Sequence, residues 1–432
     1  MAGATGSFGA GASDAYLIRL DHLGTLLWSR VYGGLGVEQI TGCEVLQDGF
    51  ILAGSTSEGM NGGYDMLLIR TDEQGSALWE RQYGTGDWDL CNSVDVYPDG
   101  FIIGGISYGG DSDMGAAYLV RTDLDGEPLW TRAIAGLGRA ECAGLRVTPD
   151  GGAVLVGGTE GAEGHGKGMV VKLLPDGEED WMTLVGAEAI VELKSVVRTL
   201  GGNYVACGSS RLADDPQQII LVALLADGSP DWERYIGNSA DSGGSEVQLA
   251  HGEGFVLTGF NSLNLGDPDM ILTLVDAGGW FQTGNNFGNG EPAYGYSVDR
   301  TQDGGYIVAG WAEDYGPGVR AMYVVKTDGQ LQTSDLVVHT FLDPIGLDEA
   351  TVGTVISLYP NPVDPGGVFR IVGEISDPLR VTIRDPQGRS IQDQRFIGPS
   401  RSVAVPMISS GLYLVNVEFR QGSVANLRLL VD

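Results

Sequence analysis

The chain is poor in the side chains on which most enzyme centres are built. Its four histidines, His22, His165, His251 and His339, occupy unrelated positions, and none has a partner at metal-ligand spacing. A zinc or acid–base centre built on histidine is therefore not expected. The four cysteines, Cys43, Cys91, Cys142 and Cys207, show no C-x-x-C spacing. Cys91 and Cys142 lie 51 residues apart, as buried repeat positions would. No run of eighteen apolar residues occurs, so nothing reads as a membrane-crossing helix, and no window carries a helical apolar period. The first residues lack the basic segment and apolar core of a secretion signal. Basic residues are scarce: 25 Lys and Arg face 57 Asp and Glu, a formal charge of −32, of which residues 1–331 carry −29. Such a body repels phosphate backbones, so nucleic acid is not an expected partner. Cations, basic partners and plain solubility all suit it.

What the chain has in abundance is repetition. The stretch RTDEQGSALWER at 70–81 returns as RLDHLGTLLWSR ending at Arg30, RTDLDGEPLWTR ending at Arg132, KLLPDGEEDWMT ending at Thr183 and ALLADGSPDWER ending at Arg234. Trp28, Trp79, Trp130, Trp181 and Trp232 follow one another at 51 residues, and a looser copy comes 48 residues later at Trp280. A seventh copy keeps Asp328 and Gly329 without a tryptophan. Between tryptophans run a strand ending in Asp-Gly, an apolar strand such as FILAG or FIIGG, a glycine-rich loop and a strand such as MLLIRTD. Asp-Gly between β-rich runs is a hairpin signal, because glycine takes the positive φ of the tight turn. Four short strands per ~51-residue unit predict an all-β chain folded as a β-propeller, whereas leucine-rich, ankyrin and tetratricopeptide solenoids need a helix or a shorter period. The register sets Met1 level with Leu52, so the chain is expected to start partway through a blade, with any secretion signal upstream. Seven blades with a truncated first is the reading the register favours; six closed blades with a spare N-terminal hairpin is the alternative. A large aromatic once per blade is expected to wedge between neighbouring blades, which assigns Trp28, Trp79, Trp130, Trp181, Trp232 and Trp280 a structural role.

The period ends near residue 331. Residues 332–355 read as a connector, and residues 356–432 as alternating strands with Pro and Gly turns, enough for a small C-terminal β-sandwich. Three landmarks stand in this tail: Tyr359-Pro360-Asn361-Pro362, then Asp385, Gly388 and Arg389, then Ser410 to Val415 with Gly411 and Tyr413. In this order they resemble the type A sorting domain of the type IX secretion system of Bacteroidota, although the chain ends RLLVD where that family often has a basic or amide-rich tail. The resemblance implies a secreted or surface-attached protein whose tail is recognised by the secretion machinery and usually cleaved. The repeats are similar to the glycine-rich propeller repeats that often precede that domain. D-x-x-G-x-x-x-W also resembles the tryptophan-docking repeat of quinoprotein dehydrogenases, which implies a quinone; the adjacent-cysteine pair of many of those enzymes has no counterpart here.

The candidate chemistry weighs little against the repeat. Gly105-Ile106-Ser107-Tyr108-Gly109 spells G-x-S-x-G, but a nucleophile elbow needs a strand-to-helix turn and this segment ends a blade strand. Residues 161–168, GAEGHGKG, approach a phosphate loop without the Ser or Thr after Lys167 or a following helix. Asp111-Ser112-Asp113 and Asp267-Pro268-Asp269 could hold calcium, yet lack the terminal glutamate of a calcium loop, and aspartate commonly caps turns. Glu38, Asp89, Glu141 and Glu192, at spacings of 51, 52 and 51, precede the hairpin strand of successive units, with Glu246 and Glu291 nearby in later ones. If that strand is innermost, the four make an acidic ring at one channel mouth, able to take a cation, a basic peptide or sugar hydroxyls. The expectation is a non-catalytic, exported binding or adhesion propeller with no metal centre, no cofactor other than calcium, and a glycan or protein as ligand. A glycan-active hydrolase or lyase using paired carboxylates is the alternative, and a quinoprotein-like oxidoreductase the third reading.

Overall fold

The computed structural model describes residues 1–333, apart from 7–8, 10–11, 61, 110–113, 135–137, 161–165, 187–188, 213–214, 238–239, 263–266, 289 and 314–319, and residues 357–431, apart from 360–362, 364, 373–377, 385–388, 396–401, 410 and 420–423. Among the described residues every regular element is a strand.

The second sheet shows how one repeat folds. Glu38–Leu46, Gly49–Thr56, Asp65–Asp72 and Ala77–Tyr83 pair antiparallel in chain order. The D-x-x-G turn before the last strand is built locally: Asp72 Oδ1 accepts the amides of Gln74 (2.9 Å) and Ser76 (2.7 Å), and Gly75, at φ 76°, donates to the Asp72 carbonyl. Four-stranded sheets of the same order follow over 89–134, 144–185, 190–236 and 242–287. The first sheet has three strands, Ala2–Thr5, Asp14–Leu20 and Leu26–Tyr32, which align with the second to fourth strands of its neighbour. The last, Ala293–Arg300, Tyr306–Glu313 and Arg320–Thr327, has three among the described residues. The chain is thus a β-propeller of seven sheets, the first without its leading strand.

The apolar cores lie between sheets, not within them. Ile51, Ala53 and Leu68 of the second sheet pack with Val94, Phe101 and Ile103 of the third, and equivalent clusters join every other consecutive pair. Each fully buried Leu or Ile there contributes roughly 1.5–3 kcal/mol. The leading strands of the second, third, fifth, sixth and seventh sheets also bulge by one residue, as at Ile40/Gly42, Cys91/Ser93 and Gly244/Glu246. Opposite the leading strand the second strand carries glycine: Gly54, Gly105, Gly157, Gly208, Gly259 and Gly310. A Cβ at any of them would fall within 1.8–1.9 Å of a backbone oxygen, which explains why the apolar strand ends in glycine in each unit.

The chain divides into two compact units, Met1–Leu347 and Asp348–Asp432, and of the expected connector, 332–355, only residues 332 and 333 are described. In the second unit, Ser357–Tyr359, Val368–Val372 and Ser402–Ala404 form one sheet. Ser390–Arg395, Pro378–Arg384, Gly411–Phe419 and Val424–Val431 form the other. Phe369, Ile371 and Val403 from the first meet Val381, Ile383, Val415 and Leu429 from the second in one core, the expected sandwich.

Candidate functional site

Leading strands of five sheets bring charged side chains to one place. Glu44, Asp95, Arg146, Glu246 and Asp299 come from the second, third, fourth, sixth and seventh sheets, and such a meeting is only possible on the axis. Arg146 reaches Glu246 at 3.3 Å and Glu44 at 3.9 Å, across 100 and 102 residues of sequence. Glu246 also accepts the Val298 amide at 2.8 Å and a Gln248 amide hydrogen at 2.9 Å, while Asp95 accepts the amides of Val96 and Val147, both at 2.7 Å. Two carboxylates therefore share one guanidinium, and the charges of Asp95 and Asp299 are close enough to act on Glu44. Burial first, then the neighbouring Asp95, Glu246 and Asp299 charges, push the half-buried Glu44 carboxyl up to about 7 although Arg146 pulls it down.

The four acids expected to form a ring do not share a face. Glu38 pairs with Thr56 and Asp89 with Ser107, and both side chains are buried. In the next blades the same ladder positions hold Ala140, opposite Thr159, and Val191, opposite Ser210. Glu141 and Glu192 are one residue further on and so point to the other side. They are tied there by Lys194, which lies 3.7 Å from Glu141 and 3.5 Å from Glu192, and Arg139 adds a 2.6 Å bridge to Glu141.

The tryptophans of the first five copies lie under the D-x-x-G or x-x-D-G turn of the following blade. The Cβ position of Gly75 is 2.8 Å from Trp28, and Gly126, Gly177, Gly228 and Gly279 stand likewise over Trp79, Trp130, Trp181 and Trp232. Arg30, Arg81, Arg132 and Arg234 cover the rings of Trp28, Trp79, Trp130 and Trp232 at 5.2–5.7 Å. Trp280 is a correction: Thr283 occupies the tryptophan slot of the sixth sheet, opposite Leu274 as Trp232 is opposite Ala223. Trp280 ends the turn, its amide bonded to Asp276, and lies exposed against Arg234 of the preceding blade.

Ser107 is the buried last residue of the strand Gly100–Ser107, with its hydroxyl accepting the Gly109 amide, and the next element among the described residues is the strand Ala116–Asp123. Cys91, Cys142 and Cys207 are buried free thiols pushed up by burial, Cys91 to about 12. Among the described residues no three His, Cys, Asp or Glu side chains gather as a metal-ligand set, and no helix is long and apolar enough to cross a membrane. Asp111–Asp113, residues 161–165 and the motif residues Pro360, Asn361, Pro362 and Gly388 lie outside the described residues. Gly411 opens the strand Gly411–Phe419 opposite Val431, and the buried Tyr413 donates its hydroxyl to the Ser409 carbonyl at 2.8 Å.

Residues 357–431 match the secretion system C-terminal sorting domain. That tail marks an exported β-propeller, routed by type IX secretion to the cell surface or the extracellular space. No curated protein matches the chain. Similar solved structures include Sqt1 from Chaetomium thermophilum, at 14% identity over 78% of this chain and 80% of that one, with a TM-score of 0.45. The extracellular domain of BT4673 from B. thetaiotaomicron is 10% identical, over 91% of this chain and 56% of its own, with a TM-score of 0.36. An endo-arabinase from Bacteroides thetaiotaomicron is 13% identical, over 66% and 92%, with a TM-score of 0.34.

Proposed function

We propose that the exported propeller is a non-catalytic binding module that takes a positively charged ligand, such as a lysine-rich protein segment, at its central channel. The observation that carries this reading is the surplus of carboxylates on the axis: Glu44, Asp95, Glu246 and Asp299 against Arg146 alone. The −29 carried by residues 1–331 would draw such a ligand in from solution. Channels and concave ends of closed β architectures are favoured ligand sites, and Arg146 would set the register by repelling a cation from one side.

Calorimetric titration of the full chain with a short oligolysine peptide tests it. Glu44→Gln combined with Asp299→Asn is expected to weaken binding roughly tenfold, the equivalent of about 1.4 kcal/mol. Glu192→Gln, whose carboxylate is paired with Lys194 at 3.5 Å, is expected to leave affinity unchanged. Equal losses in both variants would mean that only net charge matters and would refute a channel site.

A further inference from the structure

We propose that two junctions between blades, the first with the second and the second with the third, are calcium sites, each built on a facing pair of buried carboxylates. The pairs are Asp14 with Glu38 and Asp65 with Asp89, and both members recur at 51 residues. Each pair converges over a glycine, and these glycines too are 51 apart. From the position a Cβ would take on Gly84, Asp65 Oδ1 is 2.4 Å away and Asp89 Oδ2 2.8 Å; from that of Gly33, Glu38 Oε2 is 2.2 Å and Asp14 Oδ1 2.9 Å. All four residues are 0–2% exposed. The site lies apart from the channel cluster and does not depend on it.

Among the described residues, the second member of each pair is bonded by neutral donors. Glu38 accepts the Thr56 hydroxyl at 2.8 Å and the Gly34 amide at 3.1 Å, while Asp89 Oδ2 accepts the Thr85 amide at 2.6 Å and hydroxyl at 2.9 Å. The other Asp89 oxygen, Oδ1, is buried without a hydrogen-bond partner. A buried charge is ordinarily paired or bound to a metal.

The other junctions supply an independent pointer. One repeat further on, both acids and the glycine disappear together, as Ala116, Ala140 and Ala135. At the next junction the Asp65 position holds Lys167, whose ammonium donates to the carbonyl of Gly186, the counterpart of Gly84. A cation built into the chain thus reaches the junction where the acid is missing. Calcium fits the acidic junctions because it takes six to eight oxygens in tolerant geometry, whereas magnesium keeps several waters and suits an open site. Further oxygen is at hand: the Gly63 carbonyl and Asp65 Oδ2 flank one point beside Gly59, at 2.8 and 3.0 Å.

The test is calorimetric titration of calcium into the chelator-stripped full chain. Two saturable sites are expected, falling to one in Asp89→Asn and to one in Glu38→Gln, with the melting temperature of the wild type rising as calcium is added. Terbium provides a readout on the wild-type fold: Trp88, next in sequence to Asp89, should sensitise its emission, calcium should quench that signal by competition, and Trp88→Phe should abolish most of it with calcium stoichiometry kept. Absence of saturable calcium binding by the wild type would overturn the proposal. Two sites persisting in both amide variants would overturn it as well.

Discussion

Gly105→Ala lowers the stability of the propeller by roughly 3 kcal/mol or more, about 4 °C in the melting temperature of a unit this size. The reason is a backbone approach that no side chain can relieve. A Cβ on Gly105 would stand 1.8 Å from the Leu90 carbonyl oxygen, 2.8 Å from the Leu90 carbonyl carbon and 2.9 Å from the Cys91 Cα. The bulge between Cys91 and Ser93 pushes the leading strand towards its neighbour there. Accommodating a methyl group means undoing the bulge, which would shift every inward residue of the strand. Gly86, with no atom within 4 Å of its Cβ position, is the control: Gly86→Ala should stay within about 0.5 kcal/mol. Thermal unfolding of the full chain followed by circular dichroism checks the pair. Equal midpoints for the two variants would show that the glycine is not required by the bulge.

Trp79→Ala has the second large effect, about 2–4 kcal/mol. The indole is half-buried between blades, 6.1 Å from the Phe101 ring, under the Gly126 turn and covered by Arg81 at 5.6 Å. Truncation opens a gap at a point where the third blade's turn rests on the second blade. Trp280→Ala removes the same side chain from a site that is 60% exposed and should cost under about 1 kcal/mol. Chemical denaturation of both variants separates the two explanations: a loss that follows the slot supports the inter-blade role, and one that follows the residue type does not.

The contrast between these tryptophans shows what the sequence made legible. A 51-residue period with Asp-Gly hairpins specifies strands and turns and bounds the blade number at six or seven, because each unit buries its apolar faces only against the next. A step of 48 residues to Trp280 already meant that it could not occupy the slot, and three residues carry it from strand into turn. The acidic series failed for a related reason. Its one step of 52 residues, from Asp89 to Glu141, changes the side-chain parity of a strand, so Glu38 and Asp89 turn into the junctions while Glu141 and Glu192 turn towards Lys194. The axial cluster left a clear periodic signal in Glu44, Asp95 and Arg146, each 51 after the last. A search for one type of charge passes over it, since the third member is basic. Asp299 lies on the same period, five repeats after Glu44, beyond Val197 and Gln248, which interrupt the charged series, whereas Glu246 stands two residues before its periodic position and could not be read from spacing.

The most direct test of the channel as the binding site is the pH profile of oligolysine affinity for the full chain between about pH 5.5 and 8.5. Lysine stays protonated throughout this range, so any change belongs to the protein. Glu44, with its carboxyl pushed up to about 7 by burial and by Asp95, Glu246 and Asp299, is largely neutral at the acid end and ionised at the alkaline end. Affinity should therefore rise through neutral pH, on the order of fivefold, as one more carboxylate faces the ligand, and Glu44→Gln should flatten the profile. A wild-type profile that is flat, or a rise that survives in Glu44→Gln, would contradict a ligand site on the axis.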